Sequence, residues 1–362
     1  MKHSPLHQRH LERSAKMADF GGWLMPIDYP DTGVLIEHTA VREKVGIFDV
    51  SHLGKASVRG PGALEFLNSA LTNDLNRIVD GQAQYTMICN EAGGVIDDLI
   101  VYRNSAQDLF LVPNASNTAD VVAALQKLAP AGIEIKNLHE SFGVIAIQGP
   151  KSAAVLETLG VDTGLDYMSF AHVTIAGSTV ILCRTGYTGE FGFEILPSWS
   201  QAEHVWDTLV TVMREFDGVV CGLGARDTLR TEMGYPLHGH ELSLDITPVQ
   251  ANASWAVGWK KSDFTGADVL RKERTDGAGR ILRGLKCIGK GIPRGGMSVK
   301  SASGVHVGEV TSGTFSPTLK NGIALALVAT NLEIGDQLVV DIRGRDCEVE
   351  IVKLPFVPSH VR

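Results

Sequence analysis

Two adjacent carboxylates, Asp97 and Asp98, stand in an otherwise apolar stretch, YTMICNEAGGVIDDLIVY at 85–102, just after a Gly-Gly pair. Neighbours on a strand point to opposite faces, so one of the two faces water and the other the interior or a cleft. A carboxylate placed there must be paired, hydrogen-bonded or put to use, because burying it without a partner costs several kcal/mol. The plain alternative is an Asp that caps a turn or accepts backbone N–H bonds.

A second cluster, RTGYTGEFGFEI at 184–195, brings Tyr187, Glu190 and Glu194 together around glycine-containing bends. Glycines let backbone approach a flat heterocycle, and a tyrosine ring can stack on it. A carboxylate can bind the paired N–H donors that a pterin or guanine presents. A hairpin loop with solvated charges reads the same way. In GLGARDTLR at 222–230, Arg226 and Arg230 fall one turn apart on a helix entered from a loop. Two guanidinium groups there suit bidentate recognition of an anionic ligand, or else a structural ion pair with Asp227 or a neighbouring acid.

Other motifs exclude chemistry. His238 and His240 in HGH lack a further ligand at zinc spacing, so no metal is expected. Neither GxGxxG nor GxxxxGK occurs, which removes the nucleotide fingerprint and the P-loop, and no GxSxG elbow marks a hydrolase.

These groups need elements to hold them. Pro61 opens a helix with Leu64, Leu67 and Leu71 on one face. A second helix starts at Thr118 as N-cap and aligns Val121, Leu125 and Leu128 before Pro130. A third begins near Pro150, and a fourth spans 201–216 with Val205, Leu209, Val212 and Phe216 recurring at helical spacing. A hairpin runs through 173–182 with its turn at Gly177-Ser178, and the next strand alternates Phe191, Phe193 and Ile195. KASVRGPGALEFL at 55–67 and GVIAIQGPKSAAVL at 143–156 both read strand, Gly-Pro, helix, a short internal echo that would frame a cleft between two related sub-domains. From 280 onward the pattern becomes short β-rich pieces broken by glycine, with Val349 and Ile351 alternating against Glu348 and Glu350. The expectation is an α+β protein, with residues 1–270 forming one region of two sub-domains and a β-barrel at 280–362.

A chain of 362 residues exceeds one ordinary core, which agrees with several folding units. Its 39 glycines, above the usual share, point to many tight turns. Net charge is −8, and the longest basic run is Lys260-Lys261, so a nucleic-acid footprint is missing. Five dispersed cysteines without CxxC spacing argue against zinc and disulfides and fit a reducing cytoplasm. The first residues lack a signal-peptide apolar core, and no apolar stretch reaches the ~18 residues of a membrane span.

In order along the chain, GGWLMPIDY, FDVSHLGK, the Asp97-Asp98 strand, VPNASN, IQGP, RTGYTGEFGFEI, GLGARDTLR, TPVQANASW, EVTSGTFSPTLKNGIAL and LPFVP resemble the T-protein family of the glycine cleavage system. The resemblance implies three domains arranged like a clover leaf around a channel for tetrahydrofolate. The implied activity is transfer of a one-carbon unit from an aminomethyl group on lipoylated H-protein to tetrahydrofolate, releasing ammonia. It further implies that Asp98 is the acid beside folate N5 and N10, with Glu194, Arg226, Asn114, Tyr187 and Tyr85 lining the folate site. Two departures stand out: Gln250 replaces a frequent Glu, and the chain ends in Ser-His-Val-Arg where the family often has an aromatic. Rival readings are a folate-dependent demethylase of the same fold, and a non-catalytic folate-binding protein of iron–sulfur cluster assembly. The latter carries Lys-Gly-Cys near 231–234, where this chain reads Thr-Glu-Met-Gly.

Overall fold

A computed structural model describes residues 1–362. The chain opens with β1 (Lys2–His3), α1 (His7–Glu12), β2 (Lys16–Phe20) and β3 (Trp23–Asp28), followed by α2 (Gly33–Glu43) and β4 (Gly46–Asp49). Then come β5 (Ala56–Arg59), α3 (Ala63–Ala70), β6 (Ala83–Cys89), β7 (Val95–Ser105), β8 (Asp108–Val112), α4 (Thr118–Leu128) and β9 (Glu134–Asn137). The same succession recurs as β10 (Ile145–Gln148), α5 (Ser152–Thr158), β11 (Phe170–Ile175), β12 (Ser178–Cys183), β13 (Gly192–Pro197), α6 (Ala202–Met213) and β14 (Val219–Cys221). After α7 (Leu223–Met233) and α8 (Ala267–Asp276), the chain closes with β15 (Ile281–Cys287), β16 (Ser298–Ser301), β17 (His306–Ser316), β18 (Asn321–Val328), β19 (Gln337–Asp341) and β20 (Asp346–Val352).

The echo seen in the sequence extends to topology. In one sheet the order is β6-β7-β8-β5-β9; in the other it is β11-β12-β13-β10-β4-β14. Each unit therefore lays a three-strand meander against its own first strand, and β4 is inserted where β9 sits in the first unit. Both Gly-Pro junctions use the same device. Gly60 and Gly149 hold φ of 133° and 125°, where a side chain would be strained, and a Cβ at either would press on a backbone carbonyl, of Gly132 or Lys44. Separate apolar cores fill the two units: Leu64, Leu67, Leu99 and Leu111 among others in the first, Ile147, Phe193, Trp206 and Leu209 in the second.

The expected helices form, with shifted ends. Thr118 is the first residue of α4 rather than its cap, and its hydroxyl bonds back to the Asn114 carbonyl. The fourth helix is split: its α-helical part covers 202–213, between single 3-10 turns. The hairpin turn falls at Ala176-Gly177, one residue earlier than the sequence suggests, because both residues adopt positive φ, as a tight two-residue turn requires. Residues 281–352 form a closed six-stranded barrel. Its last strand buries Val349 and Ile351 while Glu348 faces out, the period-2 pattern of a surface with one buried face.

A buried ion cluster joins the barrel to the rest. Glu232 on α7 accepts from Arg42 of α2 at 2.7 Å, from the Ser316 hydroxyl at 2.5 Å and from the Thr318 hydroxyl at 3.0 Å, with His38 at 3.3 Å. These partners and burial act in opposite directions on its pKa, and the partners win: the carboxyl is pulled down to about 2 although burial opposes this. Removing one member of such a set leaves charges unpaired. Glu232→Ala is expected to lower unfolding stability by about 3–5 kcal/mol, read as a drop in the urea midpoint.

Candidate active site

The geometry of Asp97 and Asp98 starts from β7. Pairing with β6 sets Met87 opposite Asp98 and Ile88 opposite Asp97, just before a bulge at Ile88/Cys89. Asp97 is fully buried, and Asp98 faces a cavity. The two are provided for unequally. Asp97 accepts from the Asn114 backbone N–H at 2.8 Å, from the Asn114 side-chain amide at 2.9 Å and from the Asn117 amide at 2.7 Å. Asp98 accepts from the Asn114 amide at 2.8 Å and from the Tyr85 hydroxyl at 2.9 Å. Asp97 is thus held by three amide N–H groups within the core, and Asp98, with one amide and one hydroxyl donor, stands at the cavity wall.

Burial and the neighbouring carboxylate raise the titration of this pair well above the usual carboxylate range. The better amide provision of Asp97 places the higher step on Asp98. Burial likewise lifts the Tyr85 hydroxyl far above its ordinary value, so it donates to Asp98 rather than ionising.

The cavity, about 350 Å³, collects the six residues that the family resemblance assigns to the site, Tyr85, Asp98, Asn114, Tyr187, Glu194 and Arg226, while Asp97, Glu190 and Arg230 lie outside it. Arg226 lies 4.6 Å from the Tyr187 ring centre, and its Nη1 is buried with no protein partner. Such an orphan donor in a cavity wall is a group waiting for a ligand acceptor. Glu194 accepts from the Thr185 hydroxyl at 2.6 Å. The Tyr187 hydroxyl bonds the Pro236 carbonyl, which fixes its ring against Arg226. Gly186 carries this loop past Gln148, whose side-chain oxygen would lie 2.1 Å from an added Cβ. Asn114 spends its amide N–H groups on Asp97 and Asp98, which leaves only its side-chain oxygen for a ligand.

Some expected neighbours point elsewhere. Arg230 turns away from Arg226 into the barrel contact, bonding Asp227, Glu241 and the Ser312 hydroxyl; the two share a helix but not a direction. Gln250 is held by Glu273 and Arg280 and does not line the cavity. His238 and His240 bond different carbonyls, of Val95 and Thr311. The C-terminal arm returns to the second unit: Arg184 donates to the Val361 carbonyl at 2.6 Å, and His360 meets Glu190 at 3.0 Å. Arg362 sits 5.5 Å from the ring centre of Tyr167, a cavity residue.

Sequence reasoning missed His52, Tyr167, Tyr235 and Trp255, all in the wall, and weighed His238, also there, only as a metal ligand. The Trp255 ring is exposed on one side and stacks on Tyr85 with centroids 5.1 Å apart. His52 is buried, its Nδ1 has no partner, and burial with the nearby Arg226 pushes its pKa down to about 3, so it is a neutral ring. His52 and Trp255 stood in the quoted FDVSHLGK and TPVQANASW segments, but nothing local marked them.

Residues 6–261 match the family described as "GCVT N-terminal domain", and residues 280–358 match the "Glycine cleavage T-protein C-terminal barrel domain". The chain belongs to the glycine cleavage T-protein family. It is 56% identical over 362 residues to an aminomethyltransferase of Parafrankia sp. (strain EAN1pec), covering 100% of this chain and 99% of that one. It is also 56% identical to one of Mycobacterium tuberculosis (strain ATCC 25618 / H37Rv), at 99% and 98% coverage. The crystal structure of glycine cleavage system aminomethyltransferase T from Bartonella henselae superposes with a TM-score of 0.93 at 34% identity, covering 99% of each chain. The protein is an enzyme of this T-protein type.

A raised carboxyl pKa also bears on stability. The folded state disfavours ionised Asp98, so a stability cost is absent at pH values below the ordinary Asp range, where folded and unfolded chains are both protonated, grows as pH rises from that range to the folded-state value, and is constant above it. Asp98→Asn removes that cost. The variant is expected to gain on the order of 2 kcal/mol at pH 8 and nothing at pH 3.5, measured by denaturant midpoints at the two pH values.

Proposed function

We propose that this enzyme transfers the methylene carbon of an aminomethyl group on lipoylated H-protein to tetrahydrofolate, giving 5,10-methylenetetrahydrofolate, ammonia and dihydrolipoyl H-protein. The observation that carries the reading is the Asp98 carboxylate, held at the cavity wall by Tyr85 and Asn114. Separation of the carbon from sulfur leaves an iminium-like cation, and a fixed negative oxygen beside it lowers that barrier without covalent chemistry. A positive carbon also favours the ionised form of Asp98, offsetting the burial that raises its pKa.

The wall fits a reduced pterin on its own terms. Glu194 suits the paired N–H donors of an aminopyrimidine edge, the buried orphan Nη1 of Arg226 suits a carbonyl or carboxylate, and the Tyr187 and Tyr85 rings offer flat apolar faces. Tetrahydrofolate supplies the nucleophilic nitrogens, while the residues bind, orient and exclude water. The non-catalytic alternative requires Lys-Gly-Cys near 231–234, yet Glu232 there is the buried hub and Met233 packs against Gly189. No helix is long and apolar enough to cross a membrane, and all five cysteines are free and buried, which supports a reducing cytoplasm as the working compartment.

Mixing the enzyme with tetrahydrofolate and aminomethyl-loaded H-protein should yield methylenetetrahydrofolate and ammonia in equal amounts, and failure to form either would remove the reading. Asp98→Asn should cut turnover by about 10²–10³-fold while folate affinity changes only a few-fold; equal losses in both would make Asp98 a binding group. With Asp98 needed ionised, turnover should fall as pH drops through a midpoint above the ordinary carboxylate range, followed by initial rates from pH 5 to 9.

A further inference from the structure

Transfer of the carbon displaces a proton from folate N5 and requires one on the departing sulfur. Asp98 faces the carbon as a stabilising charge, and its oxygens are already bonded to Tyr85 and Asn114. Most other titratable groups in the wall are unsuited to carrying that proton at neutral pH. The Tyr85 and Tyr187 hydroxyls are pushed up by burial, His52 is held neutral, and the Arg226 guanidinium is a permanent cation.

His238 is placed differently. Its Nε2 lies 3.0 Å from the Val95 carbonyl, and since a carbonyl only accepts, Nε2 carries the hydrogen. Val95 begins β7, the strand that bears Asp98. The imidazole is half-buried in the wall of the Asp98 cavity, and its one hydrogen bond is through Nε2, so the bare lone pair of Nδ1 is on the free side of the ring. The bond to Val95 therefore selects the tautomer in which Nδ1 is a base. Tyr85 and Trp255 complete this end of the cavity, with the His240 ring turned to the Thr311 carbonyl. When the ring carries a proton, its positive charge favours the ionised form of Asp98 across the cavity. Arg230 and Glu241 behind this wall are paired with each other.

We propose that His238 is a second catalytic residue of the reaction, the proton carrier between folate N5 and the lipoyl sulfur. This rests on the aminomethyl-transfer reading above. The N5 lone pair bonds to the methylene carbon as the C–S bond breaks, and that electron pair leaves on sulfur as thiolate. His238 Nδ1 takes the N5 proton and the resulting imidazolium delivers it to the thiolate, giving the dihydrolipoyl thiol and a neutral ring. The remaining proton, from N10, goes to the departing amine as ammonia when the ring closes. No electrons are gained or lost, and the ring returns to its starting state each turnover.

Two variants separate the role from a structural one. His238→Gln keeps a donor for the Val95 carbonyl but cannot shuttle a proton, and His238→Ala opens room for added imidazole. Turnover of the Gln variant should fall about 10²-fold with folate affinity within 3-fold of the parent and an unchanged melting temperature, and millimolar imidazole should restore at least 10-fold to the Ala variant. Independently of activity, nitrogen-15 NMR of the parent at pH 8 should show His238 as the Nε2–H tautomer, with its Nδ1 signal shifting when tetrahydrofolate is added. An Nδ1–H tautomer, a Gln variant within 3-fold of parental turnover, or an Ala variant that imidazole does not rescue overturns the proposal. If instead the parent enzyme forms no methylenetetrahydrofolate, the underlying reading fails, and the two failures are distinct.

Discussion

Two carboxylates on consecutive residues of one strand repel each other, and the site depends on how a single asparagine settles that repulsion. Asn114 bonds Asp97 through its backbone N–H and its side-chain amide, and bonds Asp98 through that same amide. It can do so because β8 ends at Val112 beside β7, which brings the VPNASN loop over the paired acids. With Asn117 added, Asp97 is saturated and drawn into the core, and Asp98 keeps an oxygen edge toward the cavity. The charge at the cavity wall is thus set up in advance by amide dipoles, which on the proposed reaction need not reorganise. A ligand role for Asn114 is correspondingly narrow, because its donors are committed.

The barrel contributes none of the cavity-lining residues, yet the cavity depends on it. Arg230 and Glu241 bond Ser312 and Thr311 of β17, and Glu232 bonds Ser316 at the strand's end and Thr318 beyond it. Those contacts hold the inner side of α7, whose outer side presents Arg226. They also hold the 235–241 loop, which carries Tyr235, Leu237 and His238. Buried ion sets of this kind add little net stability over apolar packing, but they tolerate only one arrangement, and that is the property a positioned wall requires. The barrel acts as the rigid backing of a site built by the two repeated units.

Helices with a clear 3.6 period and the alternating strands of the barrel were legible because their burial is decided by local pattern. The Gly-Pro echo was legible too, since a positive-φ glycine before a helix is a local requirement at both Gly60 and Gly149. What escaped was decided by tertiary structure. Arg226 and Arg230 look equivalent on one helix, and only the packing of β17 against α7 turns Arg230 inward. Thr118 has the composition of a cap, but the Asn114 carbonyl claims its hydroxyl. Ala176 gave no turn signal, because positive φ at a non-glycine residue is a cost that the surrounding hairpin imposes. His52 and Trp255 sat inside quoted motifs and Tyr167 outside them, and all three reach the cavity from distant points of the chain with no periodicity to connect them.

The unequal treatment of polar groups around the cavity divides its labour. Where Arg226 and His52 leave buried nitrogens unpartnered, the wall bears a desolvation cost of about 1–3 kcal/mol for each group, which only a ligand with complementary atoms relieves. Where Asp98 and Tyr85 are bonded to each other, no hydrogen-bonding group is left unpartnered, and the carboxyl is held in place before anything binds. On the proposed reaction, binding specificity is assigned to the Glu194–Arg226 end and transition-state stabilisation to the Asp98 end. Substitutions at the first end should be felt mainly in affinity, and those at the second mainly in turnover, because an interaction that is already satisfied in the empty site gains only when charge develops beside it.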